Sequence, residues 1–427
     1  LGTAAARLLN LTPRSAGLTR FRSYMHRPYE QVGPTTLPDF YMPYTARINP
    51  NCDQVRLNII EWCRTMGMLE ALPNVPGARI WTGEQLADFD FGEATARFYP
   101  EATGDELDAA TRWVVWGTYA DDYFPRIYAT TRDLAGAKGF VARMSLFMPL
   151  ACESMPPPTN PVEAGLADLW PSTAAPMSMA DRQAFRAVVE KTFTSWLWEL
   201  ENHIQHRIPD PVDYIEMRRT TLGAELTMEL GRIAQSGTLP AELFATRPMI
   251  ELENAAQDYC GLLNDIVSYQ KEIQYEGELN NAVLVVQNFL GIEPAQAVLV
   301  VCDLMTQRMR QFEHILATEL PFVADSFDLD DDEREALAAR VASIQDWMAG
   351  MFDWSHLSGR YKPDHVQRRY APDEVGADAG PVTAFAAGPT GLGTSAARLV
   401  SELAGVGADV EYTPAPDGGR AVVRVPA

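Results

Sequence analysis

Cysteine is scarce in this chain of 427 residues, and the five present, Cys52, Cys63, Cys152, Cys260 and Cys302, keep no paired spacing. An odd, scattered set excludes a disulfide framework and a zinc ribbon, and reads as buried free thiols in a reducing compartment. Long apolar runs are missing too. The longest, around Ala297 to Cys302, falls far short of the roughly 20 residues a bilayer span needs, and no charged-then-apolar leader opens the chain. The expectation is a soluble, cytoplasmic protein. Positive charge is in deficit: 35 Lys and Arg against 57 Asp and Glu leave a net charge of −22 and a pI near 4.7. Such a surface repels nucleic acid and anionic lipid, so a polyanionic ligand would have to be held by local metal and arginine. There is no Gly-rich phosphate loop and no nucleophile–base arrangement. Alternating strand patterns never outlast four residues, which leaves an all-α core.

What the chain does have is helical periodicity. Val55, Ile59, Trp62 and Met66 share one face, stopped by Gly67. Phe185, Val189, Phe193, Trp196, Leu197, Leu200 and Ile204 share another, stopped before Pro209. Pro211 opens a helix through Arg218 that Gly223 interrupts, and further helices are expected over 294–320 and 332–354. Hydrophobic residues make up 47%, with 9 Trp, 15 Tyr and 17 Phe. That is enough to fill a core and to line a cavity for a hydrocarbon.

The chemistry lies in two polar interruptions of apolar helices. From Ile250 to Ile273 the run contains no Gly or Pro except Gly261, and Asn264, Ser268 and Glu272 stand in it at i, i+4 and i+8. They form one line of hard oxygen donors, the kind Mg²⁺ prefers. A solvated polar stripe would give the same spacing, but Tyr259–Leu263 before it and Ala282–Val286 after it read as core, where a polar line needs partners. Upstream, the apolar helix from Trp113 ends on Asp121-Asp122-Tyr123-Phe124-Pro125. Pro125 removes a donor and crowds the turn, so the helix should kink or stop at the acidic pair. Arg218, 46 residues before Asn264, and Arg360-Tyr361 near the end of the last long helix add guanidinium forks suited to phosphate oxygens, and Lys271 adds a point charge.

In these features the chain resembles the class I terpene synthases. They carry an acidic motif on one helix, an Asn-Asp-x-x-Ser-x-x-x-Glu motif on another, a diphosphate-sensing arginine about 46 residues ahead of it, and a C-terminal Arg-Tyr pair. The resemblance runs from about Leu37 to Tyr361. It implies an all-α bundle around an apolar cavity and a trinuclear Mg²⁺ cluster held by Asp121, Asn264, Ser268 and Glu272. Arg218, Lys271, Arg360 and Tyr361 would then bind diphosphate. Many relatives continue the acidic motif with a third carboxylate, which is absent here, so the role of Asp122 stays open. Three segments, Val32–Tyr44, Pro209–Arg219 and Glu276–Phe289, are similar to the geosmin-forming half of bacterial germacradienol/geosmin synthases. That similarity implies germacradienol as substrate, geosmin and acetone as products, and an upstream germacradienol-forming domain as partner. The alternatives are direct ionisation of farnesyl diphosphate and a non-catalytic domain that binds prenyl intermediates. The proton donor is not identified.

The ends carry their own pattern. Leu1–Leu9 is nearly repeated at Leu392–Val400, as in a module cut from a tandem array, and the chain begins with Leu. Residues 1–36 are expected to be linker and 37–370 the catalytic domain. An Ala-, Gly- and Pro-rich tail, 371–427, is expected to be mobile apart from a helix near Ser395 to Leu403. Two further features are discounted. His203 and His206 cover a helix end, and Asp328–Arg334 reads as an acidic helix start, not a calcium loop.

Overall fold

Thr103 begins the helix that carries the acidic pair. Its side chain accepts from the Glu106 amide while Glu106 reaches back to the Thr103 amide, a reciprocal cap that satisfies two donors at the helix start. In the computed structural model, which describes residues 31–72, 79–151, 154–234, 239–370, 382–385, 409–413 and 420–424, this is one of eleven principal helices. They are α1 Cys52–Thr65, α2 Phe91–Phe98, α3 Gly104–Phe124, α4 Pro161–Ala174, α5 Met179–Gln205, α6 Pro211–Thr221, α7 Arg247–Tyr269, α8 Ala282–Leu290, α9 Pro294–His314, α10 Asp331–Leu357 and α11 Pro363–Tyr370. They belong to one unit, Met25–Arg369, and among its described residues there is no strand. The all-α reading holds.

The expected start and stop signals operate. Gly67 and Gly223 both take positive φ, near 75° and 71°, which an L side chain rarely adopts, and so close α1 and separate α6 from the next helix, Ala224–Ala234. His206 takes the same left-handed conformation at the end of α5. Asp330 caps α10 through a reciprocal pair with Glu333, which explains the acidic run there. α7 is the central element. From Ala255 to Tyr269 every residue is buried, which rules out a solvated stripe for Asn264 and Ser268.

Around it the core is aromatic. Trp113 meets Trp116 and Phe185 edge-on at 5.2 Å, and Trp116 meets Phe193 at 5.5 Å. Contacts of this kind add about 0.5–1.5 kcal/mol each beyond burial. α10 packs on α2 through Gly350. A Cβ there would lie 2.7 Å from the carbonyl carbon of Arg97 and 2.8 Å from its oxygen, backbone that cannot rotate away. Gly350→Ala should therefore lower the unfolding free energy by about 1–3 kcal/mol despite the helix propensity it gains. The urea midpoint measures it, and an unchanged or raised midpoint would show that α10 can shift.

The helix carrying Asp121 and Asp122 does not stop at Pro125. It continues as a wider π-helical turn, Pro125–Ala129, in which the Thr130 amide donates to the Pro125 carbonyl at 3.2 Å. α7 does the same: after Tyr269 the chain winds as a π-helix over Gln270–Glu276 and ends at Gly277. One extra residue per turn re-aims the side chains that follow, so Glu272 and Lys271 do not continue the straight line that Asn264 and Ser268 begin.

The second unit joins Leu1–Tyr24 with Tyr370–Ala427. Its described residues form a three-stranded antiparallel sheet in the order β1-β3-β2, from β1 Val382–Phe385, β2 Asp409–Thr413 and β3 Arg420–Arg424. Val423 pairs with Val382 on one side and Val410 on the other. No strand was expected here, because segments of four and five residues are too short to show an alternating period. The helix expected near Ser395 to Leu403, and Cys152, lie outside the described residues.

Candidate metal and diphosphate site

Asp121 and Asp122 are neighbours in the last turn of α3, yet their surroundings differ completely. Asp122 accepts from both terminal nitrogens of Arg360, at 2.7 and 2.9 Å, and from the Trp81 indole at 2.7 Å. Burial alone would raise its pKa, but the charge and hydrogen bonds of Arg360 hold it well below the usual carboxylate range. Asp121 has no hydrogen bond or ion pair among the described residues. Its carboxylate is locally exposed but enclosed by protein, as on the wall of a cleft. Desolvation and the adjacent Asp122 push its pKa up to about 7, against the pull of Arg360, Lys271 and Arg218. Arg360, Lys271 and Arg218 all lie near enough to act on it.

α6 is clamped to α7 by two adjacent arginines. Arg219 grips Asp258 through Nε at 2.6 Å, and Arg308 reaches the same carboxylate at 2.8 Å. Two turns further along α7, Arg218 lies 2.8 Å from Asp265 and donates to the Asn264 side-chain oxygen at 2.6 Å. Gly261 makes room for this: a Cβ there would meet the Arg218 stem at 3.3 Å. The Asn264 amide nitrogen donates to the Tyr361 hydroxyl at 2.8 Å, and the Ser268 hydroxyl donates to the Asn264 carbonyl at 2.6 Å. Glu272 accepts from the Asn281 amide at 2.9 Å, and Lys271 pairs with Glu276 at 2.7 Å.

The sequence-derived residues therefore fall into two groups. Arg218, Asn264 and Tyr361 form one connected chain, and Arg360 is joined to Asp122. Asp121 touches none of them. All three basic side chains assigned to diphosphate rest on internal carboxylates: Arg218 on Asp265, Lys271 on Glu276 and Arg360 on Asp122. Several partners were not read from the sequence. Asp265, buried, also accepts from the Tyr214 hydroxyl at 2.7 Å and the Ala282 amide at 2.9 Å, so it locks α6, α7 and α8 together and is spent as a metal ligand. Asn281, the cap of α8, was legible only as an Asn before an apolar run. Trp81 had no signal beyond being aromatic.

Among the described residues no three His, Cys, Asp or Glu side chains cluster as a ready metal site. A cage here must draw on amide and hydroxyl oxygens as well. The donors fit Mg²⁺ chemically: an unpartnered carboxylate with raised proton affinity, and the Asn264, Ser268 and Glu272 oxygens.

The model of terpene synthase family 2, C-terminal metal binding, matches residues 112–311, a span that holds Asp121, Arg218, Asn264, Ser268 and Glu272. Over that span the chain is similar to the terpene synthases. It is 29% identical over 329 residues to pentalenene synthase of Streptomyces avermitilis, covering 76% of this chain and 92% of that one. It is 24% identical over 332 residues to 7-epi-alpha-eudesmol synthase of Streptomyces viridochromogenes, covering 75% and 91%. Among solved structures, α-eudesmol synthase superposes with a TM-score of 0.64 at 21% identity, covering 75% of this chain and 99% of its own. The described cysteines of this chain, Cys52, Cys63, Cys260 and Cys302, are buried and free. No single described helix is long and apolar enough to cross a membrane.

Proposed function

We propose that this chain is a Mg²⁺-dependent sesquiterpenoid cyclase whose substrate is germacradienol and whose products are geosmin and acetone. The observations that support the cyclase reading are the unpartnered Asp121 carboxylate and the connected Arg218–Asn264–Tyr361 chain, whose arginine acts electrostatically on it. Asp121, Asn264, Ser268 and Glu272 would hold the metal. Mg²⁺ bound there supplies the positive charge that neutralises a diphosphate. Arg218, Lys271, Arg360 and Tyr361 contact that anion once they leave their internal partners. The closed site keeps bulk water from the carbocations, admitting only the one molecule that the product incorporates, while aromatic faces stabilise the cations. The choice of germacradienol rests on the Asp-Asp-Tyr-Phe-Pro form of the acidic turn and on the three segments similar to geosmin-forming domains. In that reaction an alkene is protonated, the ring closes, and the hydroxypropyl group leaves as acetone by retro-Prins fragmentation with loss of its hydroxyl proton. That gives a neutral bicyclic alkene. A second protonation makes the decalin cation that water captures, again with loss of a proton. An upstream germacradienol-forming domain, in a cytoplasmic parent chain, would supply the substrate.

A second reading is direct ionisation of farnesyl diphosphate. The relatives favour it, since the eudesmol synthase is described as cyclising (2E,6E)-farnesyl diphosphate, and so does the full set of basic residues. The test is separate incubation of the protein with germacradienol and with farnesyl diphosphate, both with Mg²⁺, followed by product analysis. Geosmin from the alcohol alone is expected. Cyclic hydrocarbons from the diphosphate, with the alcohol untouched, would replace the first reading by the second. No product from either would leave a binding domain.

A further inference from the structure

Asn264 and Ser268 are aimed by α7 and the side chains around it. Asn264 lies between Arg218 at 2.6 Å and Tyr361 at 2.8 Å, and Ser268 donates to the Asn264 carbonyl at 2.6 Å. Glu272 is held differently. It lies past Tyr269 in the π-helical stretch Gln270–Glu276, where the spacing that lines up Asn264 and Ser268 no longer sets a side chain's direction. Its carboxylate is half-buried, and among the described residues its one side-chain hydrogen bond comes from another element. The Asn281 amide donates to Oε2 at 2.9 Å, and Oε1 takes no hydrogen bond among those residues.

Asn281 is fully buried, and every polar atom of its side chain is used. Oδ1 accepts from the Val283 amide at 2.9 Å, which caps α8. The side-chain nitrogen donates to the Asp265 carbonyl at 2.8 Å and to Glu272. A donor faces the oxygen and two acceptors face the nitrogen, so only one orientation of the amide satisfies all three. Ser or Asp would cap a helix as well as Asn does, but only Asn adds two N–H donors. Capping thus accounts for the oxygen and leaves the nitrogen with a separate task.

The anchor is also stiff. On one side of Asn281 the Ala282 amide donates to Asp265 at 2.9 Å. On the other, the Asn280 carbonyl accepts from Tyr214 at 3.2 Å, and the Asn280 side chain lies between Asn202 at 2.9 Å and Glu278 at 2.6 Å. The backbone around Asn281 is therefore tied to α5, α6 and α7.

We propose that Asn281 is a positioning residue for the metal site: its amide fixes Oε2 of Glu272 and leaves Oε1 to take the divalent cation. This rests on the reading of Glu272 as a Mg²⁺ ligand. Asn281 touches neither metal nor substrate and acts through Glu272. A carboxylate held by an N–H before the ion arrives loses less freedom on binding it, so the ion is held more tightly.

The test is a double-mutant cycle read by calorimetry, with inorganic diphosphate titrated in at constant free Mg²⁺. Asn281→Ser keeps an oxygen for the Val283 amide and removes both N–H donors. It should weaken diphosphate binding by about tenfold or more, the scale for losing a group that orients a metal ligand. In the Glu272→Ala background the same substitution should cost less than about twofold, because no carboxylate is left to position. The lost bond to the Asp265 carbonyl is common to both backgrounds and cancels. Asn281→Asp is the second variant, for use if the first does not fold. It keeps the shape and the cap but sets a like charge against Glu272, and should weaken binding at least as much, again only while Glu272 is present. An equal loss with and without Glu272 overturns the proposal and leaves Asn281 as the cap of α8. Unaltered binding in both Asn281 variants overturns it too. If Glu272→Ala by itself leaves binding unchanged, or the unaltered protein binds no diphosphate, the metal reading fails and the positioning role falls with it.

Discussion

Ser268→Ala and Glu272→Gln each lower turnover at saturating Mg²⁺ by about a hundredfold or more, the scale on which electrostatic and positioning losses register. The reasoning is local. Ser268 spends its hydrogen on the Asn264 carbonyl within the same helix, so truncation removes an oxygen donor while the α7 backbone keeps its own bonds. Gln at 272 still accepts from Asn281 and loses only the negative charge. Stability should therefore move by less than about 1 kcal/mol in either variant. The measurement is product formation across a Mg²⁺ titration, paired with thermal melting. A rate that recovers at high Mg²⁺ marks a weakened ligand. Near-normal rates at every Mg²⁺ concentration would remove both residues from the proposed cage.

Added inorganic diphosphate raises the rate on germacradienol at constant free Mg²⁺, and Arg360→Ala abolishes the response. An alcohol substrate brings no anion, whereas the site carries four residues suited to one. Arg218, Lys271 and Arg360 are tied to internal carboxylates, so their release needs an external partner. A ligand that binds the closed arrangement better shifts the population towards it. The variant has a hazard: removing Arg360 leaves Asp122 with its charge unpaired, a loss that can reach about 3–5 kcal/mol for a buried pair. The double variant Arg360→Ala with Asp122→Asn removes that strain and should be equally unresponsive. A flat or purely inhibitory curve in the unaltered protein would rule out diphosphate as an activator.

How legible the site was follows from what spacing can encode. Asn264, Ser268 and Arg218 were readable because a helix converts sequence intervals into geometry, and the Arg218–Asn264 contact at 2.6 Å lies within that logic. The all-α core and the breaks at Gly67 and Gly223 were readable for the same reason, since glycine supplies the positive φ that ends a helix. What stayed hidden was pairing across elements. Asp122 looks like Asp121 in sequence, and only the arrival of Arg360, 238 residues later, makes one paired and leaves the other open. The winding after Pro125 and after Tyr269 was also hidden, because a π-turn and an α-turn share the same apolar composition. Pro125 signalled a disturbance, but the chain answered by widening rather than by stopping.

The internal pairing of Arg218, Lys271 and Arg360 has a consequence for what the protein ignores. A cell is full of loose orthophosphate and other small anions that any exposed trio of basic groups would collect. Here such an anion, arriving alone, would have to strip Arg360 from Asp122 and Arg218 from Asp265, stranding two acids in poor solvent. A ligand that arrives as a salt, anion together with its divalent counterions, can instead trade partners: its metals take up the acids while its oxygens take up the arginines. On the proposed reading the protein would in this sense be a closed shell, blind to ordinary anions and opened by a complete ion cluster. Calorimetric titration with orthophosphate in the absence of Mg²⁺ should accordingly show no heat of binding.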